Sequence, residues 1–198
     1  LASGGRDINF DIKRVEGYRN FCNKLWNASR FINLNIDSFG ISDKRSSTIV
    51  DHWIDFKFNE TVVKVNKSFE EFRFDLATKA IYEFVWYELC DWFIELNKID
   101  LNEGGSKKSE INRSMVDVLE RTLRLAHPLM PFITEDIWQQ LKKYNCSKEK
   151  SITISSYPIE SKELSDSGFS TIEWLKEVVS GIRNIRGELS LKPSIQIP

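Results

Sequence analysis

The chain has 198 residues, 41% of them hydrophobic and 29% charged, with a formal net charge of −1. That balance excludes a disordered polymer, and no apolar run nears the roughly 20 residues a membrane-spanning helix needs. It also speaks against a body that coats nucleic acid wholesale. The length suits one domain, or one with a small appendage.

The start, Leu1 to Asp7, lacks a basic segment followed by an apolar one, so it is not a signal peptide and reads as a cut inside a longer protein. A helix is predicted over residues 11–36. Helical spacing resumes near Thr48 and runs to about Phe69. A third stretch, Phe72 to about Asn97, is dense in large apolar residues on nearly every side, so it is predicted to be the most buried helix. After a Gly-containing break at 102–109, a fourth helix is predicted to end at Ala126, because a residue before proline, here His127, is pushed out of the α region. Pro131 suits the first turn of a fifth helix. Ser151–Tyr157 alternates with period two and reads as one strand. A last helix is predicted over Thr171–Gly187, with Trp174, Leu175, Val178, Val179, Ile182 and Ile185 inward and Gly187 as the residue after its end. The expected fold class is mainly α, a helical bundle over 1–146 with a small mixed appendage over 147–198.

The first helix carries two patterns. At about 100° per residue, Val15, Tyr18, Phe21, Cys22, Leu25, Ser29 and Ile32 share one side, an apolar stripe for a core. With Lys13 as zero, Asn20, Lys24, Asn27 and Phe31 fall within roughly 40° of it, flanked by Arg19, Asn23 and Arg30. Cations for phosphates, amides for base edges and a ring for stacking are what single-stranded RNA requires. The alternative is an ordinary wet face with one stray aromatic. Residues 1–36 hold six cations against three acids, whereas the third stretch is acidic. An anionic partner should therefore meet the first helix locally.

Catalytic patterns are absent: there is no Gly-rich phosphate loop or nucleophile elbow. His52 and His127 sit in no metal or triad arrangement and read as structural or capping residues. Glu70-Glu71 and Glu135-Asp136 read as solvated or helix-end charges. Cys22, Cys90 and Cys146 have no metal-like spacing and are expected as free thiols, the first two in the core. The sequons at Asn27 and Asn59 fall inside helices and read as chance matches. No catalytic or metal-binding residues are assigned.

The runs Gly5–Asp11, Gly17–Asn27 with Arg30-Phe31, Phe72–Asp75, Tyr82–Phe84, Cys90–Trp92, Leu125–Glu135 and Ile182–Glu188 resemble the anticodon-binding domain of bacterial valyl-tRNA synthetases, across essentially the whole chain. The His-Pro…Pro-Phe segment is shared by several class I synthetases. The Asn23–Asn27 run together with Ile182–Glu188 is more specific. The resemblance implies the anticodon-binding bundle of a class I, ATP- and Mg-dependent ligase that joins valine to its tRNA, with the catalytic and editing parts absent from this chain. It also implies a soluble, cytoplasmic monomer without membrane contact, and no cofactor in this fragment. On position, Lys13, Lys24 and Phe31 match residues that touch the anticodon. The family can carry Arg at position 13, and Met and Asn at 189 and 190.

The expected tRNA-binding residues are thus Lys13, Arg19, Asn20, Lys24, Asn27, Arg30 and Phe31, with Arg183 and Arg186 reaching either the tRNA elbow or a neighbouring domain. Two rivals stay open: the corresponding domain of an isoleucyl-type synthetase, and a non-enzymatic helical module that docks a protein.

Overall fold

A computed structural model describes residues 12–102, 107–144, 148–161 and 169–191, apart from the side chains of Lys13 and Arg14. The expectations for Cys146 and for the tail beyond Leu191 lie outside these residues. Helix α1 spans Ile12–Phe39 and α2 spans Ile49–Glu70. A continuous rod follows, made of α3 (Phe74–Glu83), a wide π-helical segment (Phe84–Phe93) and α4 (Ile94–Asn102). Then come α5 (Lys108–Ala126), α6 (Pro131–Lys142), a single 3-10 turn (Ile152–Ile154) and α7 (Phe169–Glu188).

The architecture is the mainly α bundle that the periodicity implied. Its centre is α5, which packs against α1, α2, α4 and α6. Thirteen of its nineteen residues are buried, including Met115, Leu119 and Leu123. The third stretch was predicted to be the most buried, yet only nine of the twenty-six residues from Phe72 to Asn97 are. An all-round apolar sequence over 84–97 reflects instead the π turns, which rotate successive side chains away from the α-helical period.

Helix α2 starts on a capping box. The Thr48 hydroxyl accepts from the Asp51 N–H, and the Asp51 carboxylate accepts from the Thr48 N–H (2.9 Å) and the Ser46 hydroxyl (2.8 Å). Two orphan donors of the first turn are thereby satisfied. Thr48→Ala is expected to lower stability by about 1 kcal/mol, read as a shifted urea midpoint at constant slope.

Three local expectations are corrected. Helix α5 ends at Ala126 as expected, but not for the expected reason: His127 stays in the α region (φ −54°, ψ −42°), and the chain makes one more turn, with Leu129 and Met130 both donating to the Ala126 carbonyl. The proline bias is a preference that tertiary packing overrides. The imidazole bridges the Thr134 hydroxyl (2.8 Å) and the Thr153 hydroxyl (3.1 Å). Second, Ser151–Tyr157 is a 3-10 turn followed by irregular chain, and no strand occurs among the described residues. An isolated alternating run has no neighbour to complete its ladder. Its polar groups are met by Glu135, which accepts from the Ser151 hydroxyl and the Ile152 N–H. Third, Gly187 lies inside α7, and the left-handed residue after its end is Ser190 (φ 52°), where Leu191 donates back to the Arg186 carbonyl. This is the Schellman closure, made by a residue that tolerates it less well than glycine.

Helix α7 seats on α2 and the π segment. Ile172 is buried, Phe169 packs its ring on Phe56, and Trp53 Nε1 donates to Glu173 at 2.9 Å. Lys176 pairs with Glu88 at 2.7 Å. Beyond that anchor the side predicted to face inward does not: Trp174, Val178, Ile182 and Ile185 are exposed.

Candidate nucleic-acid interface

Helix α1 lies along the rod and runs parallel to it, with Phe21 against Tyr82 and Phe31 against Lys98. Its buried line is Phe21, Leu25, Ala28, Ser29, Ile32 and Ile36. Val15 and Tyr18, predicted inward, are about half exposed. Cys22 is half-buried and Cys90 buried, both free. Burial pushes the Cys90 thiol up to about 12, against the pull of the nearby Lys24 charge, so it stays protonated and unreactive.

The opposite side holds the predicted strip, turned from the predicted line. Arg19, Asn20, Asn23, Asn27 and Arg30 are exposed, together with Glu16 and Leu34. Among the described residues, neither arginine has a carboxylate partner. Lys24 and Phe31 stand instead at the seam with the rod. The Lys24 ammonium meets Asp91 Oδ1 at 2.6 Å and sits 4.0 Å from the centroid of Trp86. Phe31 is half-buried against the core, and the Lys98 ammonium lies 4.9 Å from its centroid. Lys98 is paired with Glu95, one turn away. The backbone of Lys13 belongs to α1; its side chain lies outside the described residues.

The seam owes its composition to the π segment. On an α-helix, residues five apart point about 140° away from each other. Where hydrogen bonds close at i→i+5 the turn is wider and that angle narrows. Ile94 donates to the Leu89 carbonyl in this way. Trp86 and Asp91 can therefore face the same lysine. Trp86 is in turn fixed by a stack on Tyr82 (5.5 Å, 14°), and Tyr82 by a stack on Phe21 of α1 (5.1 Å, 26°). Sequence reading at a single helical period missed Trp86, Asp91 and Lys98. The run of aromatics and acids over 84–95 was the available signal.

The two arginines of α7 diverge. Arg183 is exposed with its guanidinium 5.8 Å from the Trp92 ring, and Arg186 is half-buried. Away from α1, a cleft lined by Arg45, Asp117, Glu120, Arg121 and Arg124 is neutralised from within. Asp55 joins Arg45 to Arg121, and Glu120 takes Arg124 at 2.9 Å. Glu120 also accepts from Trp138 Nε1 at 2.9 Å, so this cluster clasps helices together and offers no free charge to a ligand. His52 contacts the Ser47 hydroxyl at 3.2 Å. Among the described residues there is no cluster of metal-ligating side chains, and no helix is long and apolar enough to cross a membrane.

The family model described as the anticodon-binding domain of tRNA ligase matches residues 51–198. The chain belongs to the anticodon-binding domain family of tRNA ligases. Over its whole length this anticodon-binding domain is also 45% identical to a valine–tRNA ligase of Legionella pneumophila and 42% identical to one of Psychrobacter arcticus. It spans 22% and 21% of those proteins, about a fifth of the length of the curated relatives it matches. The candidate face on α1 precedes the segment matched by the family model and falls within the segment shared with the two ligases.

Proposed function

We propose that this chain reads the anticodon stem-loop of valine tRNA within a longer valine–tRNA ligase. The observation that carries the reading is the open face of α1, where Asn20, Asn23 and Asn27 lie between Arg19 and Arg30, with Phe31 one turn beyond Asn27. Splayed anticodon bases would lie along this face, with arginines on phosphates, amides on base edges and one base on Phe31. Presenting that ring requires Lys98 to swing aside. A half-buried lysine paired within one turn resists this by about 1 kcal/mol. Lys13 belongs to the same face by its position on α1, and Arg183 would extend it at the far side of the rod.

In this reading ATP, magnesium and valine are handled by the part of the longer protein outside this chain. The working form is a cytoplasmic monomer. Residues 1–146 do the reading, with 147–198 as an appendage.

The test is a titration of the 198-residue chain with two synthetic RNA stem-loops. One carries the valine letters, a central A and a third C; in the other those letters are exchanged. Tighter binding of the first by roughly tenfold, the worth of one read letter at about 1.4 kcal/mol, is expected. Equal affinity, or none, would remove the proposal, and tighter binding of an isoleucine stem-loop, run as a third arm, would transfer it to the isoleucyl class.

A further inference from the structure

We infer that Asp91 is a positioning residue which, with Trp86, fixes the Lys24 ammonium as a directed hydrogen-bond donor to a base edge rather than as a free counterion for phosphate. The inference rests on the RNA-reading function proposed above and says how one cation of that surface works.

The cations near the face fall into two kinds. Arg19 and Arg30 are exposed, and among the described residues neither has a carboxylate partner. Lys24 is different. Its side chain is 23% exposed, its charge is matched by Asp91 at 2.6 Å, and one side of the ammonium is occupied by the Trp86 ring at 4.0 Å. A matched charge attracts a distant phosphate weakly, because the fields of the two partners cancel beyond a few ångströms. An ammonium has three donors. Asp91 uses one, the aromatic face orients the group, and the remaining N–H bonds have little freedom.

A lysine on the open surface carries about 2 kcal/mol of side-chain entropy that binding would have to remove. Here that ordering is already present in the free protein. The three-ring stack from Phe21 through Tyr82 to Trp86 makes the support rigid. A pre-ordered donor with its charge compensated suits a carbonyl oxygen or ring nitrogen of a base, which demands direction, more than a phosphate, which accepts from any side.

The measurement is affinity for the valine and letter-exchanged stem-loops across a salt series, for the unaltered chain, Lys24→Ala and Asp91→Asn. The ratio between the two RNAs is unaffected by any loss of folded fraction, so a purely structural defect does not move it. Lys24→Ala is expected to collapse the tenfold ratio toward one; because it also leaves the Asp91 carboxylate unpaired, any flattening of the salt slope is expected together with that loss of ratio and not alone. Asp91→Asn is expected to reduce the ratio as well. It also frees the lysine charge, so the exchanged loop binds more tightly and the slope steepens by about one ion. The inference is overturned if Asp91→Asn changes neither ratio nor slope. It is equally overturned if Lys24→Ala flattens the slope by about one ion with the ratio intact, which would make Lys24 a phosphate contact. Failure of the unaltered chain to distinguish the loops is a separate result that removes the function itself.

Discussion

Phe31→Ala is expected to weaken binding of the valine stem-loop roughly ten- to a hundred-fold, the worth of one base stacked on an aromatic ring. The same substitution removes a side chain that packs partly against the core, so stability falls too and the two effects must be separated. Phe31→Leu does this. It keeps an apolar group of similar size, for which the cost is under about 1.5 kcal/mol, while abolishing the π face. The expected pattern is a near-normal thermal melt with the affinity loss retained. A leucine variant that binds like the parent would show that the ring serves packing alone, and would move the stacking site elsewhere on α1.

Why the ring stands at a seam and not on the open face bears on what a sequence can reveal. The angular argument placed Lys13, Asn20, Lys24, Asn27 and Phe31 on one line, and a single helix can specify no more than such a line. Which part of it faces water depends on the neighbour. The rod formed by α3, the π segment and α4 covers the edge carrying Lys24 and Phe31, leaving Asn20, Asn23, Asn27 and Arg30 open. Helix α7 shows the complementary case. Its apolar period was legible from Trp174 to Ile185, but periodicity says that a face is apolar and not that anything covers it.

Helix positions were legible wherever the α period held and the punctuation was strong. Thr48 begins α2, Pro131 begins α6, and α5 runs from the break at 102–109 to His127. The π segment was illegible because its residues were read against a 100° step that its backbone does not follow. Ser151–Tyr157 misled for a related reason. Alternation is necessary for a half-buried strand, but only a partner strand makes one, and here Ile152 is buried while Ile154 is exposed without any ladder.

The least legible residue of all carries the second large expectation. Arg113 lies in the middle of α5, where a charged side chain reads as surface, yet it is only 8% exposed. Its Nε donates to the Ser42 carbonyl at 2.7 Å and its Nη1 to the Tyr144 carbonyl at 3.0 Å. One planar fork thus closes the loop between α1 and α2 over α5 and fixes the end of α6. Arg113→Met keeps the apolar stem but leaves both carbonyls without these donors. With a hydrogen bond to a charged group worth about 1.5–3 kcal/mol, the expected loss is about 3 kcal/mol, or roughly 6–12 °C in melting temperature for a domain of this size. Arg113→Lys should recover little, because a point-like ammonium cannot span two carbonyls that a guanidinium meets at once. A urea midpoint shifted by less than 1 kcal/mol equivalent would mean that water enters and replaces the fork. The consequence reaches the interface, since the Tyr144 hydroxyl donates to Asn33 on α1 at 2.8 Å, one turn past Arg30 and Phe31. Loosening α6 should therefore free the end of α1 first, seen as faster amide exchange beyond Asn33, while the Arg19–Asn27 half stays protected by Phe21 and Leu25 in the core.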